Sequence, residues 1–173
     1  VRCVVITGDD SAGAFSAGAN LKDPSTHNTG SPSKFLRGLS KKREVSPFDM
    51  FNDFPKPIIA AVNGTAAGMG AHLALACDLV IAADNAKFVE VFARRGLVPD
   101  ALGPWLLPRI IGVRKTMELM LFARDLPAEE AAELGLVNTV VPAADLEATA
   151  AEWADRIAGC LLYTSPSPRD IGE

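Results

Sequence analysis

The chain has 173 residues, of which 49% are hydrophobic and 22% are charged, and this composition is typical of a single globular domain. Its formal net charge of −4 argues against a nucleic-acid partner, because proteins that bind nucleic acids normally present a basic surface. No apolar run approaches the roughly 20 residues that span a bilayer, which argues against a membrane partner.

The three cysteines, Cys3, Cys77 and Cys160, do not have the spacing of metal ligands. Cys3 and Cys77 lie in apolar runs and are interpreted as small buried side chains. This cysteine usage predicts a reducing, cytoplasmic location and no metal site. Because the chain opens inside a run typical of a strand, we expect the natural N-terminus to lie further upstream.

The first predicted strand covers residues 3–7, and the Gly-, Ala- and Ser-rich residues 8–20 are predicted to form a loop. Residues 22–46 contain proline, glycine and many polar side chains, which favours a surface excursion. A short helix is predicted at residues 47–54, because the preceding serine can cap a helix and proline fits its first turn.

Residues 56–84 are the most informative stretch of the sequence. They contain, in order, a buried strand at Ile58–Val62, a tight turn at Asn63-Gly64, two further glycines (Gly68 and Gly70), a short apolar helix and a second buried strand at Leu79–Ala83. A strand that runs through a glycine-rich turn into a helix leaves backbone N–H groups free at the helix N-terminus. Such N–H groups can stabilise an oxyanion without a special side chain.

After an irregular segment at residues 85–100, the second half is predicted to be mainly helical. Helices are predicted at residues 105–111, 113–122, 126–134 and 145–158, with a last strand at residues 136–141. Gly112 and Gly135 are expected to end two of these helices. The last helix is amphipathic, with one apolar face formed by Leu146, Ala150, Trp153 and Ile157.

The composition changes abruptly near residue 160, where a Ser- and Pro-containing run begins. This run resembles the translated read-through of a transposon adapter used in sequencing libraries. Residues 160–173 are therefore predicted to be a non-native tail, which leaves residues 1–159 as the native core.

A second loop, at residues 14–21, also follows a predicted buried strand and consists mainly of small residues, which allow a ligand to approach the backbone closely. Taken alone, each of the two loops is typical of an ordinary turn. Together they offer backbone N–H groups after two strands, and two N–H groups that converge on one carbonyl oxygen form an oxyanion hole.

The pair AFSAGANLKD and KPIIAAVNGTAAGMGAHLALACDLVIAADNAKF resembles the signature of the crotonase superfamily, which includes enoyl-CoA hydratases and isomerases. The runs GLVPDALGPWLLPRIIG and LPAEEAAELGLVNTVVP continue the match, so the resemblance covers residues 1–158. It implies an α/β fold, the crotonase-like ββα superhelix of the ClpP/crotonase fold, of which this chain would be a fragment without its N- and C-terminal parts. It also implies an acyl-CoA substrate, no separate cofactor, and assembly as a homotrimer or hexamer.

The resemblance also assigns roles to the two loops. The two oxyanion N–H groups belong to the residue after glycine in the AGA motif, here Ala19, and to the middle residue of GxG, here Met69. Asn20 replaces an aspartate that is frequent in the family and is expected to stabilise its loop by hydrogen bonding. The positions expected to bind CoA are Ala17, Ala19, Asn20, Leu21, Gly68 and Met69.

The two glutamates of the hydratase pattern would stand at His72 and Phe92, and the absence of both puts two-carboxylate hydration in doubt. Another branch of the superfamily, which includes isomerases, carries its acid/base directly after the proline of a GL-x-P-[DE] run, where this chain has Asp100. We predict Asp100 as the acid/base, because one carboxylate can remove and return a proton next to a thioester carbonyl. His72 is predicted as an auxiliary acid/base.

Structural alternatives stay open for each of these side chains. Asp100 can cap the helix that follows it, and His72 can be a packing residue of an apolar helix. Glu90 can face the pocket or pair with Arg94 or Arg95. The leading functional prediction is an enoyl-CoA hydratase/isomerase that favours single-carboxylate isomerisation. The alternative is a non-catalytic acyl-CoA-binding homologue that has lost the hydratase glutamates.

Overall fold

A computed structural model describes residues 1–20, 54–99 and 102–160. Its strands are β1 (Val4–Thr7), β2 (Ala14–Ser16), β3 (Ile58–Val62), β4 (Thr65–Ala67), β5 (Leu79–Ala83), β6 (Lys87–Val89), β7 (Asp125–Pro127) and β8 (Thr139–Val141). Its helices are α1 (Met69–Leu75), α2 (Gly103–Phe122), α3 (Ala128–Glu133) and α4 (Leu146–Ala158), and 3₁₀ turns lie at Asp10–Ala12, Ala93–Arg95 and Ala143–Asp145. The excursion predicted at residues 22–46 and nearly all of the helix predicted at residues 47–54 lie outside the described residues.

The first six strands alternate between two four-stranded sheets. One sheet has the order β1-β3-β5-β8 and is parallel throughout. The other has the order β2-β4-β6-β7 and is parallel except for the antiparallel pair of β6 and β7. Because each successive pair of strands adds one strand to each sheet, the chain rises in layers. This is the ββα superhelix that the resemblance to the crotonase superfamily implies.

The parallel sheet of β1, β3, β5 and β8 forms the centre of the core. All five residues of β3 are buried, and Ile59, Val62 and Ile81 have no exposed surface. Strands covered on both faces have continuous apolar sequences, which is why the two runs were recognisable. Helix α4 packs across this sheet with the predicted apolar face, Leu146, Ala150, Trp153 and Ile157.

Helix α2 bends where the sequence predicts a break. Gly112 has φ 76° and ψ 160°, a non-helical conformation that separates the two halves of the helix. Its φ lies in the region that favours glycine, so the break is encoded locally. Neither α2 nor any other helix in the described ranges is long and apolar enough to cross a membrane.

Four element predictions need correction. Residues 8–20, predicted to form a loop, contain a 3₁₀ turn at Asp10–Ala12 and strand β2. Residues 85–100, predicted to be irregular, contain β6 and a 3₁₀ turn. The helix predicted from residue 126 begins at Ala128, because Asp125–Pro127 pairs with β6 as strand β7. The strand predicted at residues 136–141 is shortened to Thr139–Val141. Strands of three residues are too short to show a period in the sequence, and they form here by pairing across layers.

The cysteines are isolated packing or surface residues. Cys77 is buried, and this burial raises the pKa of its thiol to about 12, whereas Cys3 is half-buried and Cys160 is exposed. Within the described ranges, no group of three or more His, Cys, Asp or Glu side chains is arranged to hold a metal ion.

Candidate active site

The ends of β1 and β3 bring the two small-residue loops together. The two strands are adjacent and parallel, so the chain leaves both at the same edge of the sheet. Asn63, which follows β3, accepts a hydrogen bond from the Gly8 N–H at 3.2 Å and donates one to the Gly8 carbonyl at 3.0 Å. A Cβ on Gly64 would lie 2.7 Å from the Gly13 carbonyl oxygen. The predicted Asn63-Gly64 turn therefore packs against the loop that follows β1.

Glycines also allow the ends of β2 and β4 to touch. A Cβ on Gly18 would lie 2.7 Å from the Ala67 carbonyl oxygen and 3.4 Å from Met69 N. A Cβ on Gly70 would lie 2.5 Å from a carbonyl oxygen of β2. Since no side chain fits in either gap, both positions require glycine. This approach places the backbone of Ala19, one residue after Gly18, near the first turn of α1.

Met69 opens α1, and its N–H has no acceptor inside the helix. The N–H of His72 makes the first bond of the helix, to the Gly68 carbonyl at 3.1 Å. Gly68 has φ 53°, and its N–H donates to the Val89 carbonyl at 2.9 Å, which ties the turn to β6. The Met69 N–H therefore lies at the positive end of the helix.

A cleft of about 200 Å³ lies beside these two turns. Its lining is mainly apolar and consists of Ala17, Gly18, Ala19, Ala67, Gly68, Val91, Phe92, Arg95 and Leu97. Arg95 is the one charged residue of this lining and forms no ion pair with another described residue, whereas Arg94 pairs with Asp125 at 2.8 Å. No carboxylate in the described part of the chain lines the cleft. An apolar cleft with backbone N–H groups at one end suits a carbonyl compound.

A buried histidine–glutamate pair lies behind the cleft. His72 Nε2 lies 3.0 Å and 3.2 Å from the two carboxylate oxygens of Glu90, and the two side chains are 0% and 7% exposed. The imidazole stacks on the ring of Phe92, with ring centroids 5.4 Å apart. Phe92 lines the cleft and His72 does not, so the aromatic ring separates the pair from the cleft.

Residues 1–162 match the family model described as enoyl-CoA hydratase/isomerase. The chain belongs to this family. It is 44% identical over 159 residues to 1,2-epoxyphenylacetyl-CoA isomerase of Escherichia coli, a match that covers 91% of this chain and 59% of that protein. It is 43% identical over 146 residues to a probable enoyl-CoA hydratase of Rhodobacter capsulatus, which covers 84% of this chain and 54% of that protein.

Solved structures of hydratases and isomerases have the same fold. An enoyl-CoA hydratase from Bacillus anthracis aligns with a TM-score of 0.77 at 39% identity, over 91% of this chain and 59% of that chain. A monofunctional enoyl-CoA isomerase from M. smegmatis aligns with a TM-score of 0.59 at 46% identity, over 65% of this chain and 53% of that chain. The chain therefore spans somewhat more than half the length of these members of the hydratase/isomerase family.

The described residues bring most of the predicted CoA and oxyanion positions together. Ala17, Ala19 and Gly68 line the cleft, and Met69 N lies beside Gly18. Asn20 is exposed at the end of its loop. Leu21 and Asp100 lie outside the described residues. The binding and catalytic roles given to all of these positions stay predictions.

His72 and Glu90 form a contact that the sequence did not indicate. Glu90 pairs with His72 rather than with Arg94 or Arg95, the partners suggested by their proximity in sequence. The two residues are 18 positions apart, on α1 and directly after β6, so no helical or strand period connects them. His72 is fully buried and does not line the cleft.

Proposed function

We propose that this chain carries the active-site core of an acyl-CoA enzyme that stabilises a thioester enolate. The thioester carbonyl would be held by the N–H groups of Ala19 and Met69. The observation that carries this proposal is the approach of Gly18 to Met69, where a Cβ on Gly18 would lie 3.4 Å from Met69 N. Two preorganised donors stabilise the negative charge that develops on the carbonyl oxygen by several kcal/mol in a site without water.

We assign the proton transfer to Asp100, three residues before the start of α2. Its carboxylate removes a proton from C2 of a 3-enoyl thioester, and the electron pair is delocalised onto the carbonyl oxygen as a dienolate. The carboxylic acid then returns the proton to C4, which gives the conjugated 2-enoyl thioester. Because the proton is returned and no water is consumed, a single carboxylate is sufficient.

Hydration is less well supported than isomerisation. It requires a group that activates water, and the hydratase pattern uses two glutamates for this chemistry. This chain has His72 and Phe92 at those positions, and the lining of the cleft has no carboxylate among the described residues. Among the described residues, the carboxylate of Glu90 is engaged with His72, whose ring stacks on Phe92.

The complete gene product is expected to isomerise a 3-enoyl-CoA at least about 100-fold more efficiently than it hydrates crotonyl-CoA, since only the first reaction needs no activated water. Both rates can be followed by the absorbance of the conjugated enoyl thioester and compared as kcat/KM. Faster hydration of crotonyl-CoA would overturn the isomerase assignment. Tight binding of acyl-CoA without turnover of either substrate would identify a non-catalytic homologue.

Arg95→Met is expected to raise KM for acyl-CoA about 3- to 10-fold at low salt with little change in kcat, because a cation at the cleft attracts the phosphates of CoA. Steady-state kinetics at two salt concentrations would measure this effect, which salt should weaken. Arg94→Met is the matched control. Arg94 is already paired with Asp125, whose pKa is lowered by hydrogen bonds from Lys87 and Arg94. Equal effects of the two substitutions would contradict a role for Arg95.

Assembly as a homotrimer or hexamer and a cytoplasmic location remain proposals from the resemblance to the family. Several large apolar side chains on the second half of α2 are exposed. An exposed apolar patch of this kind is typical of a surface that is buried when subunits assemble, which supports the proposed assembly. These residues are Val113, Met117, Leu121 and Phe122.

A further inference from the structure

The Glu90–His72 pair has no part in the proposed proton transfer, although it places two ionisable side chains in the core. Burial of such groups is unfavourable unless they are paired and hydrogen-bonded, so the pair requires an explanation. We propose that Glu90 is a positioning residue. It orients the His72 imidazole, which in turn places Phe92 and the first turn of α2. This proposal depends on the proposed function in one respect only, which is the assignment of proton transfer to Asp100.

Glu90 determines which nitrogen of His72 carries hydrogen. In this proposal the Glu90 carboxylate accepts the 3.0 Å hydrogen bond and His72 Nε2 donates it, since a carboxylate only accepts. The second carboxylate oxygen, at 3.2 Å, further restrains the plane of the ring. His72 Nδ1 is buried and has no hydrogen-bond partner among the described residues. Of these residues, Glu90 is therefore the one that orients the imidazole by a polar contact.

The oriented imidazole supports the wall of the cleft. The ring of Phe92 stacks on it with an interplanar angle of 17°. The far end of the Phe92 ring reaches the turn before α1, where a Cβ on Gly68 would lie 3.7 Å from Phe92 Cζ. Phe92 is therefore held between the imidazole and the turn that carries the Met69 N–H.

The same imidazole supports the start of α2. A Cβ on Gly103 would lie 2.1 Å from His72 Nε2, so the backbone of the first helical residue rests directly on the ring. Asp100 precedes Gly103 by three residues. We therefore expect a change in the orientation of the ring to displace Gly103 and, through the chain, the proposed acid/base.

Glu90→Leu in the complete protein is expected to lower kcat for 3-enoyl-CoA isomerisation about 100-fold, because a displacement of about 1 Å in a reacting group has an effect of this size. KM should change less than about threefold, since neither residue of the pair lines the cleft. Glu90→Gln retains a hydrogen-bonding group for Nε2, through its amide oxygen or its NH2 group, and is expected to keep kcat within about fivefold of that of the unsubstituted protein.

An NMR measurement tests the same contact without turnover. The sequence has two histidines, so a His27→Asn background leaves His72 as the only imidazole. Its ¹⁵N spectrum is expected to show a protonated Nε2 in the unsubstituted protein, and a single tautomer in E90Q, whose amide can either accept from Nε2 or donate to it. In E90L the two ring nitrogens should exchange between tautomers. If the unsubstituted protein lacked turnover, the proposed function would fail while this spectrum still reported on Glu90.

Thr116→Val is the control for loss of a buried hydrogen bond. Thr116 is 3% exposed, and its hydroxyl donates to the Gly112 carbonyl at 2.8 Å within α2, a helix that does not line the cleft. This variant is expected to lower Tm with unchanged kcat. The proposal is overturned if E90L lowers kcat no more than T116V does, if E90Q is as impaired as E90L, or if the Nε2 signal is unchanged in E90L.

Discussion

Asp100→Asn is expected to lower kcat for the isomerisation of a 3-enoyl-CoA about 1,000-fold, with KM changed less than about threefold. The amide cannot take up the C2 proton, whereas the backbone N–H groups of Ala19 and Met69 that would bind the carbonyl are unchanged. Loss of the base alone therefore affects the chemical step and leaves thioester binding intact. Steady-state kinetics together with a direct measurement of acyl-CoA binding would separate the two.

Asp125→Asn is the matched control for this substitution. Asp125 pairs with Lys87 and Arg94 on the surface, and the three side chains are at least 40% exposed, so loss of the ion pairs should leave kcat nearly unchanged. Hydration of crotonyl-CoA that is rapid and insensitive to Asp100→Asn would refute the assignment of Asp100. Unchanged kcat in D100N together with a loss of stability in D100A would instead favour a helix-capping role, because asparagine caps a helix about as well as aspartate and alanine does not.

Gly18→Ala is expected to lower kcat at least about 100-fold, an effect like that of removing one oxyanion donor. The added Cβ would lie 2.7 Å from the Ala67 carbonyl oxygen, and both partners are backbone, so the two turns must move apart. That movement separates the N–H groups of Ala19 and Met69. The measurement is kcat for the 3-enoyl-CoA, with circular dichroism to verify that the fold is retained.

Gly13→Ala separates the effect of the clash from the effect of backbone strain. Gly13 has φ 59° and Gly18 has φ 83°, so alanine is strained at both positions. A Cβ on Gly13 would meet nothing within 4 Å. We therefore expect Gly13→Ala to reduce stability slightly and to leave kcat unchanged. If both alanine variants lost activity equally, close packing of the two turns would not be the cause.

The predictions that hold best depend on patterns within one segment. Ile58–Val62 and Leu79–Ala83 are strands with the predicted bounds, because strands buried on both faces have uninterrupted apolar sequences. The break at Gly112 and the apolar face of α4 also follow from local rules. The second sheet was largely missed, because β2, β4, β6 and β7 have three residues each and depend on their neighbours.

The residues of the site also differ in whether local sequence predicts them. The motifs around Ala19 and Met69 are local and indicate the family, as the match over residues 1–162 confirms. The distinction between Arg94 and Arg95 is not local. The two residues are adjacent and chemically identical, yet one pairs with Asp125 and the other lines the cleft. The direction in which each side chain points depends on the 3₁₀ turn after β6, which no sequence period indicates.

The sequence by itself determined the apolar strands, the glycine-rich turns, the breaks between helices and membership of the family, because each of these follows from the order of neighbouring residues. Only the tertiary structure decided that Gly18 packs against the turn of Met69 and that Glu90 pairs with His72. These contacts join residues 51 and 18 positions apart. They arise from the stacking of layers and from the need to pair buried polar groups, which act between segments rather than within them.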